Sequence, residues 1–451
     1  MKKQAVVTCF LKHGDKILIF QRSNKVKTYK GKWAGVSGYL EDMENPFDRA
    51  EREVAEETGL IPPDVALIRQ GRPISVKDGK NHWLVHPFLF EVRSPHRVKL
   101  DWEHIKAEWV FPKDLSQYNC IPGLYDAYLR VELPEVIIKK IETIRTDKTS
   151  GAVELATAAL DTLLLAGKII PAQSAEEFFE GLFNIGWHLI RVRPTMAPIE
   201  SEIATILTQI KEKFKSTSSA QVLYHALQLQ INQLRREREL AKASLLNHSL
   251  KILNKYSTIM THSYSASVIT LLTKWAKSDS HIIITESRPL YEGHTALRLL
   301  SRVCRITLIT EAQIGYIMPE VDAVVVGADS ILADGSVMNK TGTYLMALAA
   351  KDHKKQFYVA ADTSKFHLGS ALGMDIPNEK HDAGEVYTEQ ISRVSISNVY
   401  FDRTPSRLIT GVFTEEGLIN GSALRNAVHK KGKLLKDFGD MGNYFANKGK
   451  S

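Results

Sequence analysis

The sequence predicts a multidomain protein: an α+β domain comes first, a helical subdomain follows, and an α/β domain with a doubly wound parallel sheet comes last. Three observations predict this order. The chain of 451 residues is longer than one hydrophobic core usually holds. Short alternating strands with one strong helix fill its first part, and apolar runs alternate with helical stretches in its last part. We expect domains at 1–133, 134–248 and 249–430, followed by a basic tail at 431–451.

The composition indicates a globular protein of a reducing compartment. Hydrophobic residues make up 44% of the chain and charged residues 24%, and no apolar run reaches the roughly 18 residues of a membrane span. Three scattered cysteines predict neither a disulfide framework nor a zinc site. We therefore expect a cytoplasmic protein without membrane contact. The net charge of +8 suits an anionic small molecule, and because no basic stripe is interleaved with aromatic residues, we expect no direct nucleic-acid binding.

A locally specified helix stands in the first domain. Asn45 is a suitable N-cap, and Gly59 is placed to end the helix at the C′ position. Phe47, Ala50 and Val54 recur at the spacing of one helix face, which predicts an apolar stripe that packs onto the strands.

Three carboxylates share another face of this helix. Glu53, Glu56 and Glu57 stand at i, i+3 and i+4, and no basic residue stands four positions after any of them. Carboxylate oxygens are the ligands that hard divalent cations prefer. The cluster therefore predicts a metal site rather than a solvated helix face.

The stretch "GYLEDMENPFDRAEREVAEETGL", residues 38–60, resembles the complete signature of the Nudix hydrolase family. Gly38, Glu44 and the run from Arg52 to Leu60 stand at the spacing of the family. The resemblance implies a Nudix fold, in which a mixed sheet packs against this helix. It also implies Mg²⁺-dependent cleavage, with Mn²⁺ as a possible substitute, of the pyrophosphate in a nucleoside diphosphate derivative such as a nucleotide sugar.

The same resemblance assigns roles to the acidic residues. Glu53 and Glu57 match the main metal ligands of the family, and Glu56 matches a third ligand or a base. The sequence leaves the division between base and ligand open. Glu44 and Arg52 are expected to brace the loop and the helix rather than to touch substrate.

Polar segments follow the buried strands expected in the last domain. "THSYSAS" follows "YSTIM", "TESRPLYEG" follows "HIII", and "GADSILADGSVMNKTGTY" follows "DAVVV". Because the carboxyl ends of parallel strands meet at one edge of a sheet, these segments are expected to form one site. Lys340 and the helix that opens at Gly342 are suited to phosphate, so the site is expected to take a phosphorylated ligand.

From about Thr143 to Asn420 the chain resembles a superfamily of initiation-factor subunits and sugar-phosphate isomerases. Its members are the alpha, beta and delta subunits of translation initiation factor two-B, ribose-1,5-bisphosphate isomerase and methylthioribose-1-phosphate isomerase. The resemblance rests on "RPT", "ESRPLYEG", "GAD", "NKTGTY" and "YFDRTP". It implies a Rossmann-like domain, a phosphosugar ligand and a homodimer or higher homo-oligomer. The implied substrate-binding residues are Arg193, Thr195, Ser263, Arg288, Asp329, Asn339 and Lys340.

One position departs from the isomerases. They carry a catalytic cysteine directly after the "TH" pair, where this chain has Ser263 after His262. A serine hydroxyl needs a partner base before it can act as an acid or base near neutrality. His262 adjoins Ser263 in sequence, but neighbouring residues of a strand point to opposite faces, so His262 is not expected to be that base. "THSYS" is instead similar to the regulatory alpha subunit. The sequence thus favours a Nudix hydrolase with a regulatory phosphosugar domain. The alternatives are a regulatory or scaffold protein related to the exchange factor, and an isomerase with Ser263 in place of the cysteine.

Overall fold

The computed structural model describes residues 4–41, 43–78, 81–374, 376, 380–389 and 391–447. The chain divides into two compact units. Residues 1–138 together with 439–451 form the first, and residues 139–438 form the second. In the described part of the chain, no helix is long and apolar enough to cross a membrane.

A mixed eight-stranded sheet forms the centre of the first unit. Its central order is β3-β2-β1-β7-β5, with β4 beside β1, β6 beside β7 and β8 beside β2. Among the strand pairs that the structure describes in this sheet, only β1 and β7 are parallel. The strands are β1 (Gln4–His13), β2 (Lys16–Arg22), β3 (Trp33–Ala34), β4 (Val36–Tyr39), β5 (Val65–Gln70), β6 (Ile74–Asp78), β7 (Asn81–Val92) and β8 (His104–Val110). The helices are α1 (Pro46–Thr58), α2 (Leu124–Leu129) and α3 (Glu135–Thr146), which contains the boundary between the units.

Helix α1 begins and ends where the sequence predicts. The Asn45 side chain accepts a hydrogen bond from the backbone N–H of Phe47, and Gly59 adopts the left-handed conformation with φ +70°. Ala50 and Val54 are buried in a core on one face of the sheet, with Phe47 packed against it. Helix α2 contributes to a separate core that contains other strand residues. The predicted caps and apolar stripe are confirmed.

A seven-stranded sheet forms the centre of the second unit, in the order β11-β10-β9-β12-β15-β17-β18. All neighbours are parallel except β17 and β18. Along β12, Val324 and Val326 enter one core while Ala323 and Val325 enter another. Both faces of the sheet are therefore covered, as predicted for a doubly wound sheet.

The remaining elements of the second unit complete this architecture. A small antiparallel sheet has the order β13-β14-β16. The strands are β9 (Thr258–Thr261), β10 (His281–Thr285), β11 (Arg305–Ile309), β12 (Ala323–Val326), β13 (Ser330–Ile331), β14 (Val337–Lys340), β15 (Gln356–Ala360), β16 (Phe401–Thr404), β17 (Gly411–Thr414) and β18 (Gly417–Ile419). The helices are α4 (Ala152–Ile169), α5 (Ala175–Arg191), α6 (Ala197–Phe214), α7 (Ala220–Leu253), α8 (Ala266–Trp275), α9 (Glu292–Leu300), α10 (Ile314–Ile317), α11 (Thr343–Asp352), α12 (Leu368–Ala371) and α13 (Gly421–Asn447).

Two helices extend beyond the sequence expectation. The apolar periodicity of the sequence predicts a long helix from Ala220 to about Lys242. Helix α7 instead continues to Leu253 because Leu245, Ser249 and Leu253 form a buried stripe at four-residue spacing. Helix α13 runs through the segment expected to be a solvated tail, as far as Asn447. Lys431 in this segment is partly buried rather than fully solvated.

The partly buried ammonium of Lys431 is held by hydrogen bonds. Its ammonium donates hydrogen bonds to the backbone carbonyl and the hydroxyl of Thr363. Burial lowers the pKa of Lys431, although Asp362 and Glu415 act in the opposite direction. Residues 448–451 of the expected tail lie outside the described residues.

Candidate functional site

Two of the three predicted glutamates are buried at the side of α1 that contacts β4. Glu53 and Glu57 are 6% and 5% exposed. The backbone N–H of Ser37 donates a 3.2 Å hydrogen bond to Oε1 of Glu57. The backbone of Gly38 lies so close to Glu53 that a Cβ atom at this position would overlap the Glu53 carboxylate. Gly38, the first residue of the Nudix-like signature, therefore leaves room for the carboxylate of Glu53.

The two buried carboxyls repel each other when both are charged. Burial raises the pKa of Glu57 well above its usual value, and the charge of Glu53 raises it further. Burial also raises the pKa of Glu53; Arg49 opposes this shift, and Glu56 adds to it. Both shifts disfavour the doubly charged pair, and a divalent cation between the two carboxylates would stabilise their charged forms.

The basic and acidic neighbours of this pair differ partly from expectation. The expectation that the cluster has no basic partner is wrong for Glu53, which forms an ion pair with Arg49, four residues before it. A basic residue four positions before a glutamate lies as close to it on a helix as one four positions after it. Glu56 is exposed, although its charge still acts on Glu53. Glu44 and Arg52 pair with each other, an arrangement suited to bracing the loop against α1.

A histidine that the sequence analysis did not single out completes this site. The ring of His104, the first residue of β8, is fully buried. Its Nε2 lies 3.5 Å from Oε2 of Glu57, and its Nδ1 lies 3.0 Å from Oδ1 of Asp101. Burial lowers the pKa of His104, although the Asp101 carboxylate opposes this shift. No motif in the sequence links a residue 47 positions after Glu57 to the acidic helix; only the strand pairing brings it there.

The donor atoms of this site fit a divalent cation. Within the described ranges, no three or more His, Cys, Asp or Glu side chains already form a metal-binding group. Oε2 of Glu57 and Nε2 of His104 are nevertheless buried and hydrogen-bond to nothing that the structure describes. Such atoms cost free energy unless a partner binds them. Glu53, Glu57 and His104 are therefore the residues that could hold a cation here.

A separate cleft lies at the carboxyl edge of the parallel sheet. Its lining residues surround about 830 Å³ of non-protein space, a volume that includes open solvent. Residues that follow four strands of the sheet line this cleft. Ser263 follows β9, Glu292 follows β10, Asp329 follows β12 and Lys365 follows β15. The expectation that polar segments meet at this edge is confirmed for β9, β10 and β12, whereas Lys365 after β15 was not among the predicted residues.

Two helix amino termini border the cleft. Helix α4 begins after Gly151 and helix α8 begins after Ser265, and no described side chain caps either one. The loop before α4 is folded around Asp147, whose carboxylate accepts hydrogen bonds from the backbone N–H groups of Thr149 and Ser150. Backbone N–H groups and the helix dipole at such termini favour anions. This border of the cleft is suited to phosphate.

Both cationic and acidic side chains line the cleft. Lys340 is 6% exposed, forms an ion pair with Glu292, and lies 4.5 Å from the ring centre of Tyr400. Burial raises the pKa of Asp329, while Lys365, Lys340 and Arg193 oppose the shift through their charges. Oε2 of Glu292 is buried without a hydrogen bond from any described residue. The cleft therefore offers cations for phosphate and carboxylates for hydroxyl groups.

The structure separates His262 from Ser263. Ser263 lines the cleft in a left-handed backbone conformation with φ +63°, and its N–H donates a 2.8 Å hydrogen bond to the hydroxyl of Ser287. His262 is buried, and its Nε2 lies 3.0 Å from the carbonyl oxygen of Thr341. A carbonyl only accepts, so Nε2 carries the proton; its Nδ1 then accepts from the hydroxyl of Thr285. His262 is not available as a base for Ser263.

The structure brings together five of the seven residues predicted around the phosphosugar. Arg193, Ser263, Asp329, Asn339 and Lys340 line the cleft. Two do not line it. Thr195 is fully buried and its carbonyl accepts from the hydroxyl of Ser330, while Arg288 donates to the hydroxyl of Tyr291 and the carbonyl of Val386.

Sequence reasoning missed several residues that line the cleft. They include Lys365, Glu292 and the loop at 147–151. Lys365 follows the strand run "QFYVAAD", so the rule that ligands bind beyond strand ends could have found it. The loop at 147–151 precedes α4 and follows no strand of the sheet, so the same rule could not have predicted it.

Comparisons with known proteins match two regions of this chain. The sequence model of the Initiation factor 2 subunit family matches residues 148–421. The chain belongs to this family. The model of the NUDIX domain matches residues 1–128. The architecture thus joins a Nudix domain to an initiation-factor-like α/β domain, and a Nudix domain implies a hydrolase.

The relatives are named either as sugar-phosphate isomerases or as translation initiation factors. Ribose 1,5-bisphosphate isomerase of Archaeoglobus fulgidus is 32% identical over 63% of this chain and 90% of its own length. Methylthioribose-1-phosphate isomerase of Pelotomaculum thermopropionicum is 32% identical over 62% of this chain and 81% of its own length. The crystal structure of the translation initiation factor eIF-2B of Pyrococcus horikoshii matches with a TM-score of 0.54 and 28% identity, over 64% of this chain and 98% of that one.

Proposed function

We propose that the amino-terminal domain is a Mg²⁺-dependent pyrophosphohydrolase that cleaves a nucleoside diphosphate derivative such as a nucleotide sugar. The carboxy-terminal cleft binds a phosphosugar and regulates this hydrolysis. The observation that carries the first part is the buried pair of Glu53 and Glu57, which has the charge and the free donor atoms to hold a cation. Hydrolysis of a nucleotide sugar releases a phosphosugar, which is the ligand class that the cleft suits.

The residues of the first site have distinct tasks in this proposal. Glu53 and Glu57 hold the cation, and a bound Mg²⁺ supplies phosphate neutralisation and a more acidic water. Ser37 orients Glu57 through its backbone N–H. Gly38 keeps space for Glu53. Glu56 is exposed, so it can approach the substrate from the solvent side as a third ligand or as the base.

A substrate panel tests the hydrolase. Purified full-length protein with Mg²⁺ should release a phosphosugar and a nucleoside monophosphate from at least one nucleotide sugar, with both products identified by mass spectrometry. Addition of a chelator should stop the release. Failure to cleave any member of a panel that spans bases, sugars and dinucleotides would overturn the assignment.

Substitution of Lys340 tests the phosphosugar cleft. Lys340→Ala removes a buried cation from the cleft, and hydrogen bonds to charged groups contribute about 1.5–3 kcal/mol. We expect roughly 10–100-fold weaker binding of ribose 5-phosphate or ribose 1,5-bisphosphate in calorimetry. Lys351→Ala, at an exposed position of α11, is the matched control. Equal affinity of Lys340→Ala and the unmodified protein would contradict the cleft assignment.

The names of the relatives favour isomerase activity as an alternative. The serine at position 263, where the isomerases carry a catalytic cysteine, argues against it. Because His262 cannot serve Ser263 as a base, we expect no isomerisation of ribose 1,5-bisphosphate by the unmodified protein. Ser263→Cys restores a thiol that can exchange protons near neutrality. With Asp329 in place, we expect this variant to gain measurable isomerisation, followed by ¹H NMR of the product. Activity of the unmodified protein would contradict the regulatory role.

The third possibility is a scaffold related to the exchange factor. The name of the structural relative from Pyrococcus horikoshii supports it. Co-purification of initiation-factor subunits with this chain would favour it over a self-contained enzyme. In the regulated-hydrolase proposal the chain instead assembles as a homodimer or a higher homo-oligomer, which light scattering of the pure protein tests.

A further inference from the structure

We propose that His104 is a nitrogen ligand of the cation held by Glu57, so that the site binds a borderline transition-metal dication more tightly than Mg²⁺. This inference rests on the proposed function, because it concerns the cation of the same site. It adds a residue outside the Nudix signature and a preference among metals.

The hydrogen bond to Asp101 fixes which ring nitrogen carries the proton. Oδ1 of Asp101 lies 3.0 Å from Nδ1 of His104 and also accepts from the backbone N–H of Glu103. A carboxylate only accepts, so Nδ1 is the donor. In the neutral ring the lone pair is then on Nε2. This arrangement of carboxylate, histidine and cation recurs in metal sites, where the outer carboxylate sets the tautomer and orients the ring.

That lone pair faces a carboxylate oxygen across a short gap. Nε2 of His104 and Oε2 of Glu57 are 3.5 Å apart, and both are buried without a hydrogen bond from any described residue. Two lone pairs that face each other at this distance repel unless a proton or a cation lies near both. Ligand atoms about 2.1 Å from a metal at a tetrahedral angle are about 3.4 Å apart. The spacing therefore suits a shared cation.

The ring is held in this orientation by its surroundings. His104 is wholly buried, and its ring centre lies 4.8 Å from that of Phe20. Together with the bond to Asp101, this packing fixes the ring before any cation arrives. A preorganised nitrogen costs little conformational entropy when it binds.

A nitrogen ligand changes which cation the site prefers. Mg²⁺ favours oxygen ligands, whereas imidazole suits Co²⁺, Ni²⁺ and Zn²⁺. A site that combined Glu53, Glu57 and His104 would therefore favour these ions over Mg²⁺. Mg²⁺ could still support hydrolysis where it is far more abundant.

The test uses Co²⁺ and requires no turnover. In the full-length protein, calorimetry should show Co²⁺ binding at least tenfold tighter than Mg²⁺. Proton NMR of the Co²⁺ complex should show a strongly shifted, exchangeable imidazole N–H signal, which the bond from Nδ1 to Asp101 protects from rapid exchange. His104→Gln should lose this signal and at least tenfold of the Co²⁺ affinity while Mg²⁺ affinity changes less. His13→Gln, an exposed position of the same unit, should change neither.

A second variant covers the case in which His104→Gln fails to fold. Asp101→Asn keeps the shape of the side chain but weakens the hold on the ring, and it should lower Co²⁺ affinity about tenfold. A Co²⁺ complex without the shifted signal, or His104→Gln with unchanged Co²⁺ affinity, would overturn the inference and leave His104 as an imidazolium partner of Glu57. Hydrolysis with Mg²⁺ in that case would leave the proposed function intact. A histidine signal without hydrolysis of any substrate would overturn only the proposed function.

Discussion

Glu57→Gln is expected to lower Mg²⁺-dependent hydrolysis about 10²–10³-fold, because a lost metal ligand removes several kcal/mol of transition-state stabilisation. The glutamine keeps the shape of the side chain and can still accept from the N–H of Ser37. It lacks the negative charge that burial and the neighbouring Glu53 disfavour at Glu57, the two causes that raise the pKa of this carboxyl. We therefore expect the metal-free variant to be at least as stable as the unmodified protein, because a neutral amide is easier to bury than a carboxylate.

The control for this variant is Glu51→Gln. Glu51 is exposed on the same helix, so its loss of charge should leave both turnover and thermal stability unchanged. Turnover and melting temperature, each with and without Mg²⁺, separate the two effects. Full activity of Glu57→Gln would exclude Glu57 as a ligand. Loss of activity together with a large loss of stability would indicate a structural role instead.

Gly38→Ala is expected to abolish hydrolysis as well, through Glu53. The added methyl group would overlap the Glu53 carboxylate, so that carboxylate must leave its position. Overpacking of this kind costs about 1–3 kcal/mol of stability. The variant should therefore melt at a lower temperature, and calorimetry should show weaker binding of Mg²⁺.

Gly315→Ala provides the matched control, since no atom lies within 4 Å of the Cβ that it would add. It should retain full activity and stability. Retention of activity by Gly38→Ala would show that the position of Glu53 against β4 is not required. A variant that still folds and binds Mg²⁺ but does not turn over would assign Gly38 to substrate contact instead.

The sequence predicted elements well where local signals were strong. Asn45 and Gly59 mark the ends of α1 in both the sequence and the structure because caps act over only a few residues. The parallel sheet followed from its buried runs, since strands covered on both faces are apolar throughout. The last part of α7 was not predicted. No residue near Lys242 ends the helix, and buried residues beyond Lys242 continue it to Leu253.

The candidate sites depend on contacts that no local pattern encodes. His104 reaches Glu57 only because β8 pairs with β2. The Arg49–Glu53 pair is the exception, since a spacing of four residues on one helix is a local signal. In the cleft, Asp329 and Lys340 followed from strand ends, whereas the loop at 147–151 meets them only through the tertiary fold. Residues close in space but distant in sequence thus limited the prediction more than secondary structure did.

The hydrogen bonds of Lys431 affect how this protein should be handled in the laboratory. Lys431 lies in α13 and holds Thr363, which begins the short turn that ends with Lys365 in the cleft. The carboxy-terminal helix is therefore part of the support for the ligand site, even though it lies far along the chain. Expression vectors should encode α13 in full and place affinity tags at the amino terminus. A chain shortened to end before residue 431 would lose the hydrogen bonds from Lys431 to Thr363 that support the cleft.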